Sequence, residues 1–399
     1  MKKQLLVMAV CLVVMCGKQS LVAQTNSATQ KDLMGILFGE KKASSQEDNN
    51  GERKFEFGAL PYVASSPSAG VKFGAVTNVH YRMGNDPITH KSAGTVSLAY
   101  TTKKQLFFYL RNLTYFHQNK WAADLDVRYN NNNEFTHGLG GGTSQDAKQQ
   151  LDYSTIRSNI SLMYGILPTF YLGGGINYNR YYNIKGYDLT DTDPYYQYNA
   201  SHGIGLSRSV AAGYNISALY DSRDNIINAY RGINARATYS SLMKVFGSEQ
   251  AWQHLWLEFR AFRSLTEGCR HRLAFWANAS MILDGDVPYM NLPASGYDLM
   301  GKSSYGYTIG RFRGDKLVFG QMEYRVGLTP NDLIGAVLFG NMTTVSKPDH
   351  TVKLFEYMEP AAGAGLRVKL NKYSRTNISI DYAIGRQSSG LYVDIAETF

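Results

Sequence analysis

The sequence has 399 residues, with Tyr 29, Gly 38 and Pro 10, charged residues at 18%, a net charge of +9 and a mean hydropathy of −0.29. This composition excludes a disordered polyelectrolyte. Helical membrane spans are excluded as well, because no long apolar run follows the N-terminal region. Lys and Arg are scattered rather than clustered, so no nucleic-acid partner is expected.

Residues 1–23 have the pattern of a signal peptide. Lys2 and Lys3 precede the apolar run LLVMAVCLVVMC, and Val22-Ala23 forms a small-residue cleavage site. The alternative is lipidation of Cys16, which the bulky residue before it disfavours. An exported chain that keeps only Cys269 needs no disulfide and has no second thiol for a metal site.

Residues 24–55 form a short polar tail that is too short to be an independent domain. Its one apolar patch is Leu33 to Phe38. The patch forms either a single amphipathic turn or no regular structure, and we favour the second. We expect the tail to be periplasmic.

From Phe55 onward, apolar and polar residues alternate with a period of two, which is typical of β-strands with two different faces. Most of these runs reach the length of about 9 to 11 residues that a tilted strand needs to cross a bilayer. The predicted strands are 57–64, 69–82, 92–102, 105–116, 119–130, 151–165, 169–182, 207–220, 231–243, 252–265, 270–283, 316–328, 333–344, 357–370, 374–386 and 390–399.

The connections between these strands alternate in length. Tight links such as Leu167-Pro168 follow even-numbered strands, whereas the long links 131–150, 183–206 and 284–315 follow odd-numbered ones. Short turns on one rim and long loops on the other are typical of outer-membrane barrels, and an even number of strands closes the sheet. We therefore predict an all-β fold, a 16-stranded antiparallel transmembrane β-barrel over residues 56–399, in the outer membrane of a Gram-negative bacterium. Its short-turn rim would face the periplasm.

The stretch 311–328, RFRGDKLVFGQMEYRVGL, shows the two faces of one strand. Gln321, Glu323 and Arg325 alternate with apolar residues, and a charge facing hydrocarbon would cost several kcal/mol. We expect these three side chains to face an aqueous lumen, and the following residues to face lipid: Val318, Met322, Tyr324 and Val326.

Three stretches resemble the bacterial surface antigen superfamily of outer-membrane assembly barrels, the BamA/TamA type. YDSRDNIINAYRGINARATYS (220–240) is similar to the family's periplasmic turn, YGYTIGRFRGDKLVFGQMEYRVGL (305–328) to its sixth-loop motif and following strand, and ISIDYAIGRQSSGLYVDIAETF (378–399) to its final hairpin. The resemblance is strong over about 200–399 and rests on strand pattern alone before that.

The resemblance implies a weak seam between the first and last strands and a sixth loop folded into the lumen. In the family, an Arg-Gly-aromatic tip of this loop pairs with acidic residues on the wall. Such barrels insert other barrels into the outer membrane or pass polypeptide across it. They work without nucleotide, cofactor or metal. The implied partners are outer-membrane lipid, unfolded outer-membrane protein clients and the barrel assembly machinery, with the protein itself a monomeric barrel.

The sixth-loop motif departs from the family pattern. Tyr305, followed by Gly306 and Tyr307, occupies the position of the tip arginine, and Asn341 stands where an acidic partner is usual. The missing arginine and the missing acidic residue fit together physically. Either charge alone would be costly in a narrow lumen without its counter-charge. A different register would place Arg311 or Arg313 at the tip. Glu323 matches the family's acidic wall position, beside Arg325.

The periplasmic turn contributes four candidate residues: Asp221, Arg223, Asp224 and Gly232. We interpret its charges as a turn-fixing ion pair rather than an active site. The last predicted strand carries Leu391, Val393, Ile395 and Phe399 on one face, with Glu397 interrupting near the rim. This pattern resembles a C-terminal assembly signal, which edge pairing would recognise, although a lipid-facing strand has the same pattern.

Two features bear on activity. In barrel-assembling members of the family, periplasmic repeat domains bind clients and partners. The segment between the signal and the first strand has no counterpart of these domains, so the resemblance points to a branch of the family that lacks them. The fold therefore carries over from the family more safely than the client-binding function. No G-x-S-x-G or H-E-x-x-H motif is present, and no enzyme is expected, with His137 and His202 on long loops as the weak alternative. The alternative function is a passive pore or surface receptor without assembly activity.

Overall fold

The computed structural model describes residues 30–38, 55–66, 70–84, 88–186, 193–299, 301–372, 374–395 and 397–399. The predicted signal peptide lies outside the described residues. Two α-helices are described, α1 (Leu33–Phe38) and α2 (Pro194–Ser201). The strands are β1 (Phe55–Ser66), β2 (Gly70–Tyr81), β3 (Ser92–Thr101), β4 (Leu106–Phe116), β5 (Trp121–Thr136), β6 (Gln149–Leu167), β7 (Phe170–Gly186), β8 (Ser209–Asp221), β9 (Gly232–Leu242), β10 (Trp252–Ser264), β11 (His271–Gly285), β12 (Lys316–Gly327), β13 (Ile334–Val345), β14 (Glu359–Asn371), β15 (Thr376–Gly385) and β16 (Ser388–Ile395).

All sixteen strands form one antiparallel sheet in which each strand pairs with its neighbours in chain order. The sheet curls into a nearly closed barrel, in which the last strand, β16, lies beside the first strand, β1. In the described part of the chain, however, no ladder of paired residues joins β1 to β16. We call this gap between β1 and β16 the seam. The predicted fold class, a 16-stranded antiparallel barrel, is confirmed.

The two faces of β12 show why the alternation produces a barrel. Gln321, Glu323 and Arg325 are buried inside, whereas Met322 on the opposite face is 50% exposed. An exposed apolar side chain and an enclosed charged one belong to a wall with hydrocarbon outside and a polar interior. No helix in the described ranges is long and apolar enough to span a membrane.

The strands β5, β6 and β7 are longer than their predicted counterparts, so the loops above them are shorter. Asn131, Asn132 and Asn133 continue β5 and pair with β6, and the side-chain amide of Asn133 donates to Asp152 Oδ1 at 2.6 Å. Because asparagine is rare in strands, the sequence pattern ended β5 too early. Here side-chain hydrogen bonds between the strands support the polar ends of the ladder.

The patch Leu33 to Phe38 forms α1, which corrects the expectation that it has no regular structure. Asp32 caps the helix by accepting from the Gly35 amide at 2.7 Å, and its other oxygen accepts from the Lys372 amide at 2.7 Å. Leu33 packs against an apolar cluster that includes Ile395. Docking on the end of the barrel stabilises a helix that is too short to be stable alone.

Candidate functional site: the lumen loop and its contacts

The long connection between β11 and β12, residues 286–315, folds into the barrel, and we call it the lumen loop. Tyr289, Phe312 and Arg313 are among the most deeply buried side chains of the described residues. Tight bends give the loop its path, and four of its glycines have positive φ: Gly296, Gly301, Gly306 and Gly310. The loop therefore fills the lumen as a packed, specific structure.

Arg313 anchors the lumen loop to β5. Its Nη2 lies 2.7 Å from Glu134 Oε1, and the two side chains are 0% and 4% exposed. Glu134 also accepts from the hydroxyls of Tyr153 at 2.5 Å and Tyr297 at 2.8 Å. A buried ion pair is tolerated when further hydrogen bonds satisfy its remaining atoms. Gly310 completes the site, because a Cβ there would overlap Glu134 Oε1.

Arg311 ties the lumen loop to the β5–β6 loop at the long-loop rim. Its guanidinium donates to Thr143 Oγ1 at 2.6 Å and to the Thr143 carbonyl at 2.5 Å. Gly140 of the same loop donates its amide to the Arg313 carbonyl at 2.8 Å. Tyr357 of the β13–β14 connection packs closely on this loop, since a Cβ added to Gly141 would lie only 2.7 Å from the Tyr357 Cβ. These contacts cover the outer end of the lumen.

Tyr305 meets the opposite wall, next to the seam. Its ring stacks on Tyr392 of β16 with centroids 4.1 Å apart, and its carbonyl accepts from Asn341 Nδ2 at 3.1 Å. The Gly306 amide donates to the Tyr392 hydroxyl at 3.0 Å. The structure thus brings Tyr305 and Asn341 together, with the contact made by the backbone carbonyl of Tyr305.

The other candidates of the sixth-loop motif dock elsewhere. Tyr307 donates its hydroxyl to the Pro360 carbonyl of β14 at 2.7 Å. Arg311 and Arg313 meet the β5–β6 loop and β5, as described above. The motif is therefore spread over several docking sites of one loop rather than gathered at a single tip.

Lys302 makes a contact that the sequence reasoning missed. Its Nζ lies 3.0 Å from Asp394 Oδ2 of β16 and donates to the Glu397 carbonyl at 2.8 Å. The carboxylate of Asp298 fixes this bend by accepting from the amides of Lys302 and Ser303. The only sequence signal is a lysine just before the tyrosine motif. Its partner is distant in sequence, so the pair becomes visible only in the fold.

The wall residues Glu323 and Arg325 belong to a charged network inside the barrel. Arg325 Nε donates to Glu323 Oε2 at 2.7 Å, and Gln321 Nε2 donates to Glu323 Oε1 at 2.8 Å. Arg367 of β14 donates to Glu397 Oε2 at 2.7 Å. Burial alone would raise the pKa of Glu397, but the guanidinium groups of Arg367 and Arg325 hold it below its ordinary value. Glu397 is therefore a fixed charge inside the barrel.

The segment after β16 differs from the predicted strand 390–399. The strand ends at Ile395, and residues 397–399 turn into the lumen. Phe399, expected on the same face as Leu391, is 4% exposed and packs against Trp276 with centroids 5.3 Å apart. Its carbonyl accepts from Arg325 Nη2 at 3.2 Å.

The predicted assembly signal is therefore split between two faces. The alternation failed at Phe399 because the contacts of Glu397 with the wall arginines draw the segment inward. Leu391 is exposed and Val393 is half-buried, whereas Ile395 is buried beneath α1. Only the first part of the predicted signal remains accessible from outside the barrel.

The periplasmic-turn charges lie together at the short-turn rim. Arg223 binds both oxygens of Asp221 at 2.8 and 2.6 Å. Asp224 accepts from the Tyr230 amide at 2.9 Å and lies 2.6 Å from Arg375 Nη1 in the β14–β15 turn. The β8–β9 connection thus reaches across to the β14–β15 connection.

Gly232, the first residue of β9, lets the β8–β9 connection pack closely against the start of β9. Its φ is +103°, and a Cβ there would overlap the Ser222 carbonyl oxygen. Both features favour glycine, which has no Cβ. The four predicted turn residues therefore act together as a structural unit.

A cavity of about 370 Å³ opens beside this turn. The β2–β3, β8–β9 and β14–β15 connections line it. Its two aspartates are Asp221 and Asp224, which already bind arginines of the same rim. Among the described residues, no group of three His, Cys, Asp or Glu side chains could hold a metal ion.

The two loop histidines lie apart from this turn. Burial first, and then the charges of Arg311 and Lys148, lower the pKa of His137 to about 4. His137 is therefore neutral near pH 7. His202 is exposed and stacks on Tyr198, with ring centroids 4.3 Å apart.

Comparison with known proteins identifies the family. Residues 90–399 match the family model of the Omp85 superfamily domain, which is more than half of the chain. The chain belongs to the Omp85 superfamily. It is an outer-membrane β-barrel of a Gram-negative bacterium, as predicted. No curated protein matches the chain.

Solved Omp85 structures share the fold at low sequence identity. The crystal structure of BamA from Haemophilus ducreyi lacking POTRA domains 1-3 is 13% identical, with 87% of this chain and 70% of that chain covered and a TM-score of 0.53. CdiB from Escherichia coli is 10% identical, with 86% and 62% covered and a TM-score of 0.56. CdiB from Acinetobacter baumannii is 10% identical, with 86% and 60% covered and a TM-score of 0.53. This chain thus spans less than two thirds of either CdiB.

Proposed function

We propose that this Omp85 barrel acts in the assembly or insertion of outer-membrane proteins, or in polypeptide translocation, and that its seam is the working element. The observation that carries the proposal is the seam itself. The other neighbouring strands are joined by ladders, but no ladder joins β1 to β16 in the described residues. Strand edges with unpaired backbone groups are templates for pairing with another chain. An opened seam would offer such edges to a client.

The packing of the lumen supports this proposal over a passive pore. Arg313 holds the lumen loop to β5, and Tyr305 holds it to β16, so the loop crosses the interior from one wall to the other. A water-filled pore needs an open path, whereas this interior is occupied by buried side chains. We expect single-channel recordings of the purified barrel to show a mostly closed trace. A large and steady conductance would support the pore or receptor alternative.

Two further assignments remain proposals. Residues 1–23 would be removed on export, so that N-terminal sequencing of the purified protein begins at Gln24. The face of β16 that carries Leu391 and Val393 would serve as the signal by which the assembly machinery recognises this barrel. Leu391→Ser should then lower the amount of folded barrel in cells, but not its refolding yield in detergent.

Depletion in cells tests the proposed function. We expect the loss of this protein to lower the levels of particular outer-membrane proteins, measured by quantitative mass spectrometry of outer-membrane fractions. Complementation with the wild-type chain should restore them. Complementation with a chain whose β1 and β16 are cross-linked should not. Unchanged outer-membrane protein levels after depletion would contradict the proposal.

A further inference from the structure

The β9–β10 connection makes a short excursion from the barrel wall at the long-loop rim, and we call residues 243–248 the apolar turn. The Met243 carbonyl closes the turn by accepting from the amides of Phe246 at 3.0 Å and Ser248 at 3.3 Å. Ser248 ties the turn to β8, because its hydroxyl accepts from the Ala212 amide at 2.7 Å and donates to the Ala212 carbonyl at 2.8 Å. The excursion is therefore a hydrogen-bonded part of the wall.

The apolar turn lies on the outer face of the barrel. Ala211 and Asn215 of β8 are buried inside the barrel, so Ala212 and Tyr214, which alternate with them, face outward. Phe246 meets the Tyr214 ring edge-on, with centroids 6.5 Å apart. Ala212 is buried although it faces outward, because the turn folds over it. The turn thus adds a second layer to the lipid-facing side of the wall.

The tip of the apolar turn is directed away from the protein. Val245 is 78% exposed, the highest value among the large apolar side chains of the described residues, and Phe246 is 55% exposed. An exposed apolar patch on a fixed turn indicates an interaction site. On the outer face of a membrane barrel, acyl chains remove this surface from water, which is favourable in proportion to the apolar area.

Basic side chains lie around the apolar turn at the same rim. Lys244 belongs to the turn and is exposed. Arg180 of β7 is exposed and pairs in register with Val210 of β8, whose carbonyl accepts from the Glu249 amide directly after the turn. Arg208 precedes β8 and binds Glu249 at 3.1 Å. Charged side chains avoid hydrocarbon, so these cations mark the level at which the lipid headgroups begin.

We propose that the apolar turn and these three cations form a binding site for a phosphorylated membrane lipid. The acyl chains of the lipid pack on Val245 and Phe246, and its phosphate lies among Lys244, Arg180 and Arg208. Basic residues at a membrane surface attract anionic headgroups, and a guanidinium group matches the geometry of a phosphate. An apolar tip beside a group of cations therefore suits both parts of such a lipid.

The place of the site in the barrel decides which leaflet supplies the lipid. The long-loop rim is the rim predicted to face the cell exterior, so the lipid belongs to the outer leaflet. Strands β8 and β9 lie halfway round the sheet from β1 and β16. The site is therefore separate from the seam, and it does not depend on the proposed function.

The depth of the apolar turn in the membrane is tested with a spin label. The chain carries Cys269→Ser and a nitroxide at Val245→Cys, in nanodiscs of phosphatidylcholine and diphosphorylated lipid A. Power-saturation electron paramagnetic resonance compares collisions with oxygen, which concentrates in hydrocarbon, and with a water-soluble nickel chelate. We expect the label to meet oxygen and not the chelate. A control label at Lys353→Cys, exposed in the β13–β14 connection, should meet the chelate.

Two results of this measurement would overturn the site. A label at Val245→Cys that meets the chelate lies in water, outside the lipid. A label that meets neither collider is covered by protein, which would make the apolar turn a contact with a second copy of this chain.

Titration with lipid tests the phosphate. The barrel in a neutral detergent is titrated with diphosphorylated lipid A, and bound lipid is counted by native mass spectrometry. We expect Lys244→Gln and Arg180→Gln each to weaken binding about fivefold, the effect of one basic residue at a membrane surface. Lys120→Gln is the matched control, because it removes an exposed lysine from the β4–β5 turn at the other rim, and it should bind like the parent.

The lipid itself supplies the last comparison. Lipid A without its phosphates should bind the parent more weakly than the diphosphorylated form, and Lys244→Gln should not weaken it further. Heat-modifiable electrophoretic mobility confirms that each variant is folded. Equal binding of the two lipids, with no effect of Lys244→Gln or Arg180→Gln, would overturn the inference.

Discussion

Arg313 of the lumen loop and Glu134 of β5 form an ion pair that is shielded from solvent, with Nη2 and Oε1 2.7 Å apart. The pair joins two segments far apart in the sequence and fixes one end of the loop inside the barrel. Tyr297 donates to Glu134 at 2.8 Å and also accepts from Arg313 at 3.0 Å. The loop is thus held by a network in which each charge has several partners.

Breaking this pair should destabilise the barrel strongly. Arg313→Met leaves Glu134 as a buried charge without its counter-charge, and such losses cost about 3 to 5 kcal/mol. The change is measured as the free energy of unfolding in urea, in detergent micelles. Arg208→Met, in the exposed pair with Glu249, should cost at most about 1 kcal/mol. The double variant Arg313→Met with Glu134→Gln should lose less than the two single losses together. Strict additivity would contradict a direct interaction.

Gly310 should be intolerant of even a methyl group. Its φ is +76°, and a Cβ would overlap Glu134 Oε1. Gly247 is the matched control, because its φ is +96° and a Cβ there would meet nothing within 4 Å. Both alanine variants carry the cost of a left-handed backbone, about 1 to 2 kcal/mol. Gly310→Ala should lose clearly more in urea unfolding, and equal losses would count against the docked position of the loop.

Phe399 should behave as a core residue rather than a lipid-facing one. Phe399→Ala removes a buried ring from beside Trp276, and such truncations cost about 3 to 5 kcal/mol. Ile384→Ala, at a position that is 57% exposed on the outer face of β15, should cost less. Urea unfolding of refolded protein measures both. If the two variants are equally stable, the inward turn of residues 397–399 is wrong.

The contribution of Glu397 to stability should depend on pH. Its pKa lies below the ordinary value of 4.5 in the folded protein, so the folded state favours the charged form. This contribution is fully present above pH 4.5 and is lost as the pH falls towards the lowered pKa. Glu397→Gln should therefore be less stable than the parent at about pH 7, and the difference should shrink as the pH falls below the ordinary value. A difference that stays constant through this acid range would contradict the ion pairs with Arg367 and Arg325.

The barrel could be predicted from the sequence because the strand pattern that produces it depends only on residues that are neighbours in the chain. The alternation in β12, with Glu323 and Arg325 between apolar residues, requires only neighbouring residues and two different solvents. The same rule explains why the strand positions agree with the predictions to within a few residues over most of the chain. It fails at Asn131 to Asn133, where side-chain bonds to β6 extend a strand whose residues favour turns.

The docking of the lumen loop could not be predicted in the same way. Lys302 meets Asp394, and Arg313 meets Glu134, across stretches of chain that no periodicity connects. Phe399 turns inward because charged residues of β12 and β14 bind Glu397. The alternation of apolar and polar residues in β16 itself gives no sign of these distant charges. The α1 helix likewise depends on remote residues of β14 and β16. Long-range pairs of this kind become visible only when the fold is known.

The central claim, that the seam passes client strands into the membrane, is tested most directly by reconstitution. A urea-denatured outer-membrane protein is diluted into liposomes that contain this barrel, and the rate of its folding is measured by its shift in electrophoretic mobility. We expect faster folding than in protein-free liposomes, loss of the acceleration when a reducible cross-link joins β1 to β16, and recovery on reduction. Equal rates with empty liposomes, open barrel and cross-linked barrel would contradict it.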